Sequence, residues 1–166
     1  MAGLIAAPSA GARLGPRLRH LLDVCPPDFP VADVGSGHGR LALELARRRP
    51  GAVVYATEAR RGPALELRRL LGPGSPVAVL EGPGLTPLRG LGCRGAVIAG
   101  MGGHTIRQIL ESEPQVAREL DWLLLQPMQD WEPLGQWVAA ARCWEVRNST
   151  CWERSHVYRA LLLRCR

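Results

Sequence analysis

Lysine is missing from this 166-residue chain, so each of its 21 Lys/Arg positions is an arginine. Its five cysteines are scattered and form no C-x-x-C pair, which argues against a disulfide framework or a cysteine-ligated metal. No apolar run approaches the length of a membrane span, and Met1–Ala7 does not place basic residues ahead of an apolar stretch as a signal peptide does. We therefore expect a cytoplasmic protein with reduced thiols, no metal and no membrane partner.

Length and composition limit the size of the fold. With 166 residues, of which 46% are hydrophobic and 22% are charged, the chain has the size of one globular domain with a substantial core. It contains no internal repeat, low-complexity tract or long linker. We expect a single domain over residues 1–166, with a leading helical segment at 1–28 and a core at 29–166.

The net charge of +6 is unevenly distributed along the chain. Residues 1–100 contain thirteen arginines and seven acidic residues, whereas residues 101–166 contain eight of each. A polyanion such as nucleic acid could bind to the arginine-rich helices predicted in the first part. Alternatively, arginine fills the ordinary solvated basic positions of a chain without lysine, and charge alone leaves both interpretations open.

The most informative motif is a short apolar strand that runs into three glycines. Within Val31–Gly39 these are Gly35, Gly37 and Gly39, and Asp33 lies two positions before the first of them. Backbone without side chains lets a ligand approach the strand end closely, and amides of the following helix point toward it. Glu58 ends a second predicted strand 25 residues after Asp33, where an acid can accept hydrogen bonds from ribose hydroxyls. These features predict a Rossmann-like nucleoside site.

Two residues of the loop decide which cofactor is expected. A dinucleotide loop has a third glycine three residues after Gly37, where this chain has Arg40. Asp33 would place a carboxylate where pyrophosphate charge has to be accommodated, and it suits a cationic ligand better. S-adenosyl-L-methionine (SAM) carries a sulfonium and an ammonium and no phosphate, so we predict SAM as the cofactor. The alternative is a tight strand-to-helix turn that holds no ligand.

Apolar runs and breakers alternate along the chain as they do in a parallel α/β sheet. Helices are predicted at Arg13–Val24, His38–Arg49, Gly62–Leu71, Thr105–Leu110 and Asp130–Arg142, and strands at Val31–Gly35, Ala52–Thr57, Val77–Leu80, Gly95–Ala99 and Trp122–Leu125. Cys143–Trp152 and His156–Leu163 are predicted to form an antiparallel hairpin. The expected fold is α/β: a Rossmann-like class I methyltransferase with a seven-stranded, mostly parallel sheet, a C-terminal antiparallel hairpin and helices on both faces.

Several segments carry a resemblance to a known family. They are Ala32–Gly39, Glu58, Glu81–Leu85, Ile98–Gly103, and Leu124–Met128 followed by a helix that contains Trp137. The Ile-Ala-Gly-Met-Gly-Gly sequence of Ile98–Gly103 is the most specific. In order and approximate spacing, the chain resembles the bacterial tRNA (adenine(22)-N(1))-methyltransferases of the TrmK type. The resemblance implies SAM-dependent methylation of adenine N1 in tRNA, with tRNA as the partner.

The expected site residues lie at the carboxyl ends of the predicted strands, where open α/β sheets bind ligands. The cofactor-binding residues are expected to be Asp33, Gly35, Ser36, Gly37, His38, Glu58, Ala59, Glu81, Gly82, Ala99, Gly100 and Met101. Adenine N1 already offers a lone pair, so no general base is required; the catalytic candidates are Met101, His104, Gln126 and Pro127. A pocket for an extruded base is expected between Gly100–Gly103 and Gln126–Met128.

This chain departs from the family pattern at three places. Gly37 stands where the family usually has an aspartate, and Pro83 stands where it usually has an aspartate or asparagine. The family normally adds a C-terminal coiled-coil domain, whereas this sequence ends just after its last predicted strand. These differences make the acceptor the least determined part of the prediction.

Two alternatives therefore stay open beside the tRNA methyltransferase. One is a SAM-dependent enzyme with a small-molecule or protein acceptor, and the other is a SAM- or RNA-binding module that has lost turnover. Tryptophans 131, 137, 144 and 152 are expected to pack rather than to stack on bases. The sequence does not distinguish a monomer from a homodimer.

Overall fold

Strands and helices alternate through residues 14–165, the part of the chain described by the computed structural model. The strands are β1 (Val31–Val34), β2 (Val54–Glu58), β3 (Val77–Glu81), β4 (Gly95–Met101), β5 (Trp122–Pro127), β6 (Trp144–Glu153) and β7 (His156–Cys165). The α-helices are α1 (Pro16–Val24), α2 (Arg40–Arg48), α3 (Arg61–Leu71), α4 (Gly103–Ser112), α5 (Pro114–Glu119) and α6 (Trp131–Ala141), and a 3₁₀ turn covers Thr86–Leu88.

The seven strands described form one sheet in the order β3-β2-β1-β4-β5-β7-β6. Strands β1 to β5 pair in parallel, whereas β7 pairs antiparallel with both β5 and β6. This arrangement confirms the predicted Rossmann-like fold with its C-terminal hairpin. Because β1 pairs with β2 on one side and with β4 on the other, the chain reverses direction across the sheet at β1. Ligands of open α/β sheets bind outside the carboxyl ends of the strands at such a point.

The core has two layers, one on each face of the sheet. In β5, Leu123 and Leu125 pack with buried residues of α4, α5 and α6, while Trp122 and Leu124 pack with those of α1, α2 and α3. Neighbouring residues of a strand point to opposite faces, so strands covered on both faces must be apolar throughout. The continuous apolar runs of the sequence have this origin.

Most predicted element boundaries differ from the observed ones by one or two residues, and one helix was missed. Helix α2 begins at Arg40 rather than at residue 38, because Gly39 has φ of 72° and keeps the loop out of helical conformation. Strand β4 continues past residue 99 to Met101, and the short helix α5 was not predicted. Helix α1 begins at Pro16, so the prediction of helix at residues 14 and 15 is wrong, and residue 13 lies outside the described residues. Among residues 14–165, no helix is both long and apolar enough to cross a membrane.

Gly95 provides a test of how the two central strands pack. It lies opposite Trp122 in the β4–β5 register, and a Cβ built on Gly95 would lie 1.9 Å from the buried indole. We expect Gly95→Ala to lower the free energy of unfolding by about 1–3 kcal/mol, because overpacking a core forces neighbouring groups to shift. Gly135→Ala is the control, since nothing lies within 4 Å of its Cβ in α6, and it should stabilise by about 0.5–1 kcal/mol. Urea denaturation measures both, and wild-type stability of Gly95→Ala would contradict the packing described.

Candidate functional site

The glycine loop between β1 and α2 is held in a conformation that favours glycine at three positions. Gly35, Gly37 and Gly39 have φ of 68°, 59° and 72°, values that L side chains rarely adopt. A Cβ at Gly35 would lie 2.9 Å from Met101 Cε, and one at Gly39 would lie 2.8 Å from Leu67 Cδ1. The amides of residues 35 and 36 donate to the Thr57 carbonyl at 3.0 and 3.1 Å. The loop is thereby fixed against β2.

A cleft of about 540 Å³ opens over this loop and the carboxyl ends of β1 and β4. A volume of this size suits a nucleoside-sized ligand. Its lining residues are Arg17, Leu18, Asp33, Gly35, Ser36, Gly37, His38, Arg40, Leu41, Ala99 and Gly100. Seven of the predicted cofactor residues therefore line one cleft, together with four residues from α1 and α2 that were not predicted.

Asp33 places a buried carboxylate in the wall of the cleft. Only 5% of the residue is exposed, and the Ser36 hydroxyl donates a hydrogen bond of 2.6 Å to its Oδ2 atom. Burial raises the pKa of Asp33 to about 6, and the hydrogen bond from Ser36 opposes this rise. The nearby Glu58 carboxylate raises the pKa further and the Arg17 guanidinium lowers it. A carboxylate that burial destabilises this way is suited to pair with a cation.

Glu58 lies at the end of β2, beside the loop but outside the lining of the cleft. Its Oε1 atom accepts a hydrogen bond of 2.6 Å from the Gly37 amide. Glu81 is its register partner on β3, and the Gly82 amide donates to the Glu58 carbonyl at 2.9 Å. Ala59 is exposed just beyond the strand. These four predicted residues thus form one edge next to the glycine loop.

Arg17 reaches the cleft from α1, on the opposite side from Glu58. Its Nη1 atom donates a hydrogen bond of 2.8 Å to Gln126 Oε1, and its guanidinium lies 5.8 Å from the centre of the Tyr158 ring. Gln126 is fully buried, and its Nε2 atom has no hydrogen-bond partner among residues 14–165. No local sequence signal placed Arg17 here, because its position depends on how α1 packs over the ends of β4 and β5.

The segment Ile98–Gly103 ends β4 and leads into α4. The register with β5 shifts between Ala99 and Met101, and Gly100 has φ of 78°. A Cβ on Gly103 would lie 2.3 Å from the backbone oxygen of Asp130, so α4 can begin close to the β5–α6 loop only with glycine there. The geometry accounts for two glycines of this run.

The segments Gly100–Gly103 and Gln126–Met128 lie side by side. The Met128 amide donates to the Met101 carbonyl, and the Gly103 amide donates to the Gln129 carbonyl, each at 2.9 Å. Pro127 is buried in this contact, whereas His104 is exposed on α4 and does not line the cleft. In residues 14–165 no cluster of three or more His, Cys, Asp or Glu side chains could hold a metal.

A glycine loop, a buried acid and a second acid on the neighbouring strand define the nucleoside-binding class of Rossmann-like proteins. Comparison with protein families narrows this class further. The model of the methyltransferase domain matches residues 14–161, so the chain belongs to the methyltransferase domain family.

Two bacterial methyltransferases resemble the chain in sequence. It is 26% identical over 168 residues to the tRNA (adenine(22)-N(1))-methyltransferase of Bacillus subtilis, covering 91% of this chain and 71% of that protein. A shorter match, 45% identical over 73 residues, covers 42% of this chain and 25% of the release factor glutamine methyltransferase of Moorella thermoacetica.

Solved structures extend the similarity to three dimensions. The crystal structure of the Bacillus subtilis m1A22 tRNA methyltransferase TrmK superposes with a TM-score of 0.82 at 26% identity, covering 93% of this chain and 67% of that one. A Streptococcus pneumoniae candidate tRNA (m1A22) methyltransferase in complex with SAM superposes with a TM-score of 0.81 at 25% identity, covering 90% and 72% of the two chains.

The raised pKa of Asp33 predicts a pH-dependent stability. Its pKa rises from an ordinary 3.8 to about 6 in the folded protein, so protonation favours the fold below about pH 4 and this contribution is lost as pH rises through about 6. Relative to wild type, Asp33→Asn should gain on the order of 3 kcal/mol in unfolding free energy between about pH 4 and pH 8. Urea denaturation across this range measures the gain, with Glu66→Gln on the exposed side of α3 as the control. A pH-independent difference for Asp33→Asn would contradict the buried ionisation.

Proposed function

We propose that this chain is a SAM-dependent methyltransferase that transfers a methyl group to N1 of an adenine in tRNA. The observation that carries the proposal is the buried Asp33 carboxylate in a glycine-walled cleft at the β1 switch point. Family membership supports methyl transfer, and the Bacillus subtilis relative supports the tRNA acceptor. The SAM complex of the pneumococcal relative supports the cofactor.

The charges around the cleft fit SAM. Asp33 is an anionic wall for the ammonium and sulfonium, and Arg17 offers guanidinium donors for the carboxylate. Glu58 stands at the end of β2, where an acid can accept ribose hydroxyls. A Cβ on Gly37 would meet nothing within 4 Å, so the loop leaves open space toward the ligand. Bound SAM would supply the electrophilic methyl group.

The residues of the chain would act by holding the acceptor rather than by moving protons. Adenine N1 carries a lone pair, so alignment of nucleophile and methyl group can account for several kcal/mol of barrier lowering. We assign the acceptor to the exposed edge above Gly100–Gly103 and Gln126–Met128, because backbone hydrogen bonds close the space directly between these segments. Met101 and Pro127 would form its floor, and Gln126 Nε2 offers a buried donor beside it. His104 is exposed at the start of α4 and does not line the cleft, so it is assigned no role.

Helix α1 is part of the same functional unit in this proposal. Leu21 and Leu22 are buried with residues of α2, and Arg17 lines the cleft. The described residues before and after position 28 are therefore best treated as one catalytic domain. Because the proposed substrate is tRNA, we also infer a cytoplasmic location.

A protein acceptor is the second candidate. The similarity to the release factor glutamine methyltransferase favours it, although that match covers less than half of this chain. The same cofactor cleft would serve both activities, so the acceptor has to be tested directly.

Methyl transfer to RNA tests the proposal. Incubation of the protein with SAM and unmodified bacterial tRNA should give 1-methyladenosine in the digested RNA, detected by mass spectrometry. Gly37 removes no group that in-line transfer requires, so we expect turnover. SAM binding without methylated RNA would refute the tRNA assignment, and methylated release factor in a parallel reaction would establish the alternative.

Arg17 predicts how the cleft distinguishes two related nucleosides. S-adenosylhomocysteine carries the amino-acid carboxylate, whereas 5′-methylthioadenosine lacks it. Arg17→Ala should weaken binding of the first by about 10- to 100-fold, the range for a hydrogen bond to a charged group, and should leave the second within about twofold. Isothermal titration calorimetry measures both. Arg19→Ala is the matched control, because Arg19 is exposed on the same helix and bonds to the Leu14 carbonyl. Equal weakening of both ligands would rule out a carboxylate contact.

A further inference from the structure

An exposed aromatic and basic surface lies beside the cleft at the tip of the β6–β7 hairpin. Among residues 14–165, seven large apolar side chains are exposed, and four of them belong to this hairpin, to the β5–α6 loop or to the first residue of α6. They are Met128, Trp131, Trp152 and Val157; with Arg154 and Arg159 they make up what we call the hairpin surface. Exposed apolar groups that cluster rather than scatter mark an interaction site.

The hairpin extends past the strand that supports it. The last β5–β7 pair joins Leu125 to Leu161, whereas β6–β7 pairing continues to Glu153 and His156. Trp152 and Val157 are register partners in this free part, and they are 67% and 41% exposed. A large indole held this far into solvent is available to stack on a ligand.

The Arg159 side chain lies over an aromatic ring on the same face. Its guanidinium carbon is 3.5 Å from the centre of the Trp131 ring, within the range of a cation–π interaction. Neither Arg154 nor Arg159 forms an ion pair with a carboxylate in residues 14–165, although seven other arginines do. These two cations are available to an external anion.

The other face of the hairpin contacts Arg17, which lines the cofactor cleft. Tyr158 lies under the Arg17 guanidinium, and Glu153 Oε1 accepts a hydrogen bond of 3.4 Å from the Arg17 amide. Glu153 is thus directed at α1 and away from the hairpin surface. The remaining nearby acids, Asp130 and Glu132, flank Trp131 at the start of α6, so an anion is favoured on the Trp152 side.

We propose that the hairpin surface binds unpaired nucleotides of the RNA next to the methylated base. This inference rests on the proposed function. Trp152 is the stacking platform for a base, because base–aromatic stacking needs no particular sequence. Arg154 and Arg159 contact the phosphates on either side of that base. Aromatic residues, Met and Arg are enriched in protein–protein interfaces as well, so the choice of RNA over a protein follows from the proposed tRNA acceptor, and the test below includes a protein substrate.

The test compares RNA binding with cofactor binding in the full-length protein. Fluorescence anisotropy with an unmodified tRNA transcript should show about tenfold weaker binding for Trp152→Ala, and Trp152→Phe should stay within about threefold of wild type because it can still stack. Arg154→Ala together with Arg159→Ala should lower the slope of log Kd against log salt by about 2, roughly one unit for each lost phosphate contact. S-adenosylhomocysteine affinity, measured by calorimetry, should not change in any variant.

Two controls separate the surface from general effects. Leu65→Ala removes an apolar side chain that is 50% exposed on α3, and Arg61→Ala with Arg69→Ala removes two exposed charges from the same helix. Wild-type RNA affinity of Trp152→Ala, or equal losses in the control variants, overturns the inference and leaves the proposed function standing. Absence of RNA binding by the wild type overturns both the inference and the proposed tRNA acceptor. If Trp152→Ala loses release-factor methylation but keeps RNA binding, the surface binds a protein instead.

Discussion

The buried carboxylate of Asp33 is the constraint around which the site is built. Removing a charged group from water is unfavourable unless hydrogen bonds or an opposite charge compensate for it. Here Ser36 supplies one hydrogen bond at 2.6 Å, and the backbone of Ala42 and the guanidinium of Arg17 also lower the carboxyl pKa. That compensation is incomplete, because the pKa still stands near 6. The fold therefore keeps an anion that a cationic ligand would stabilise, on β1, where the strand order reverses between β2 and β4.

Arg17 connects this carboxylate to the far end of the sheet. Its side chain bonds to Gln126 on β5, and its backbone amide bonds to Glu153 on β6. These contacts hold α1 against the hairpin. Arg17 therefore both lines the cofactor cleft and contacts the hairpin. Both contacts join residues that are close in space and more than 100 positions apart in sequence.

The features that the sequence predicts well are those that local chemistry determines. Alternation of apolar runs and breakers fixes the strands, and glycines that must adopt positive φ identify the loop at Gly35–Gly39. The hairpin follows from two adjacent strand patterns. Features that depend on how distant elements pack were missed: Arg17 in the cleft, and Trp152 on the surface. The pattern predicted packing for Trp152, yet its strand extends beyond the supporting β5, which leaves it 67% exposed.

The distribution of charge along the sequence also did not determine where a nucleic acid would bind. The arginines of the first three helices suggested either a polyanion site or an ordinary solvated surface, and two of them are paired: Arg47 with Glu44 and Arg48 with Asp23. Arg61 and Arg69 of α3 form no ion pair among residues 14–165, and neither do Arg154 and Arg159 at the hairpin tip. Net charge counts both kinds alike, whereas only unpaired cations are free to replace the counterions of a nucleic acid.

Gly37 replaces the aspartate of the family pattern, but acidic side chains remain close to this position. Its amide bonds to the Glu58 carboxylate at 2.6 Å, so an anionic group already lies beside the position where the family usually has an aspartate. A Cβ at Gly37 would meet nothing within 4 Å, but its φ of 59° disfavours any side chain. An aspartate here would add a third carboxylate close to Asp33 and Glu58, and like charges would raise the pKa of Asp33 further. The glycine thus favours an ionised Asp33 at neutral pH, which is the form that a cationic methyl donor requires.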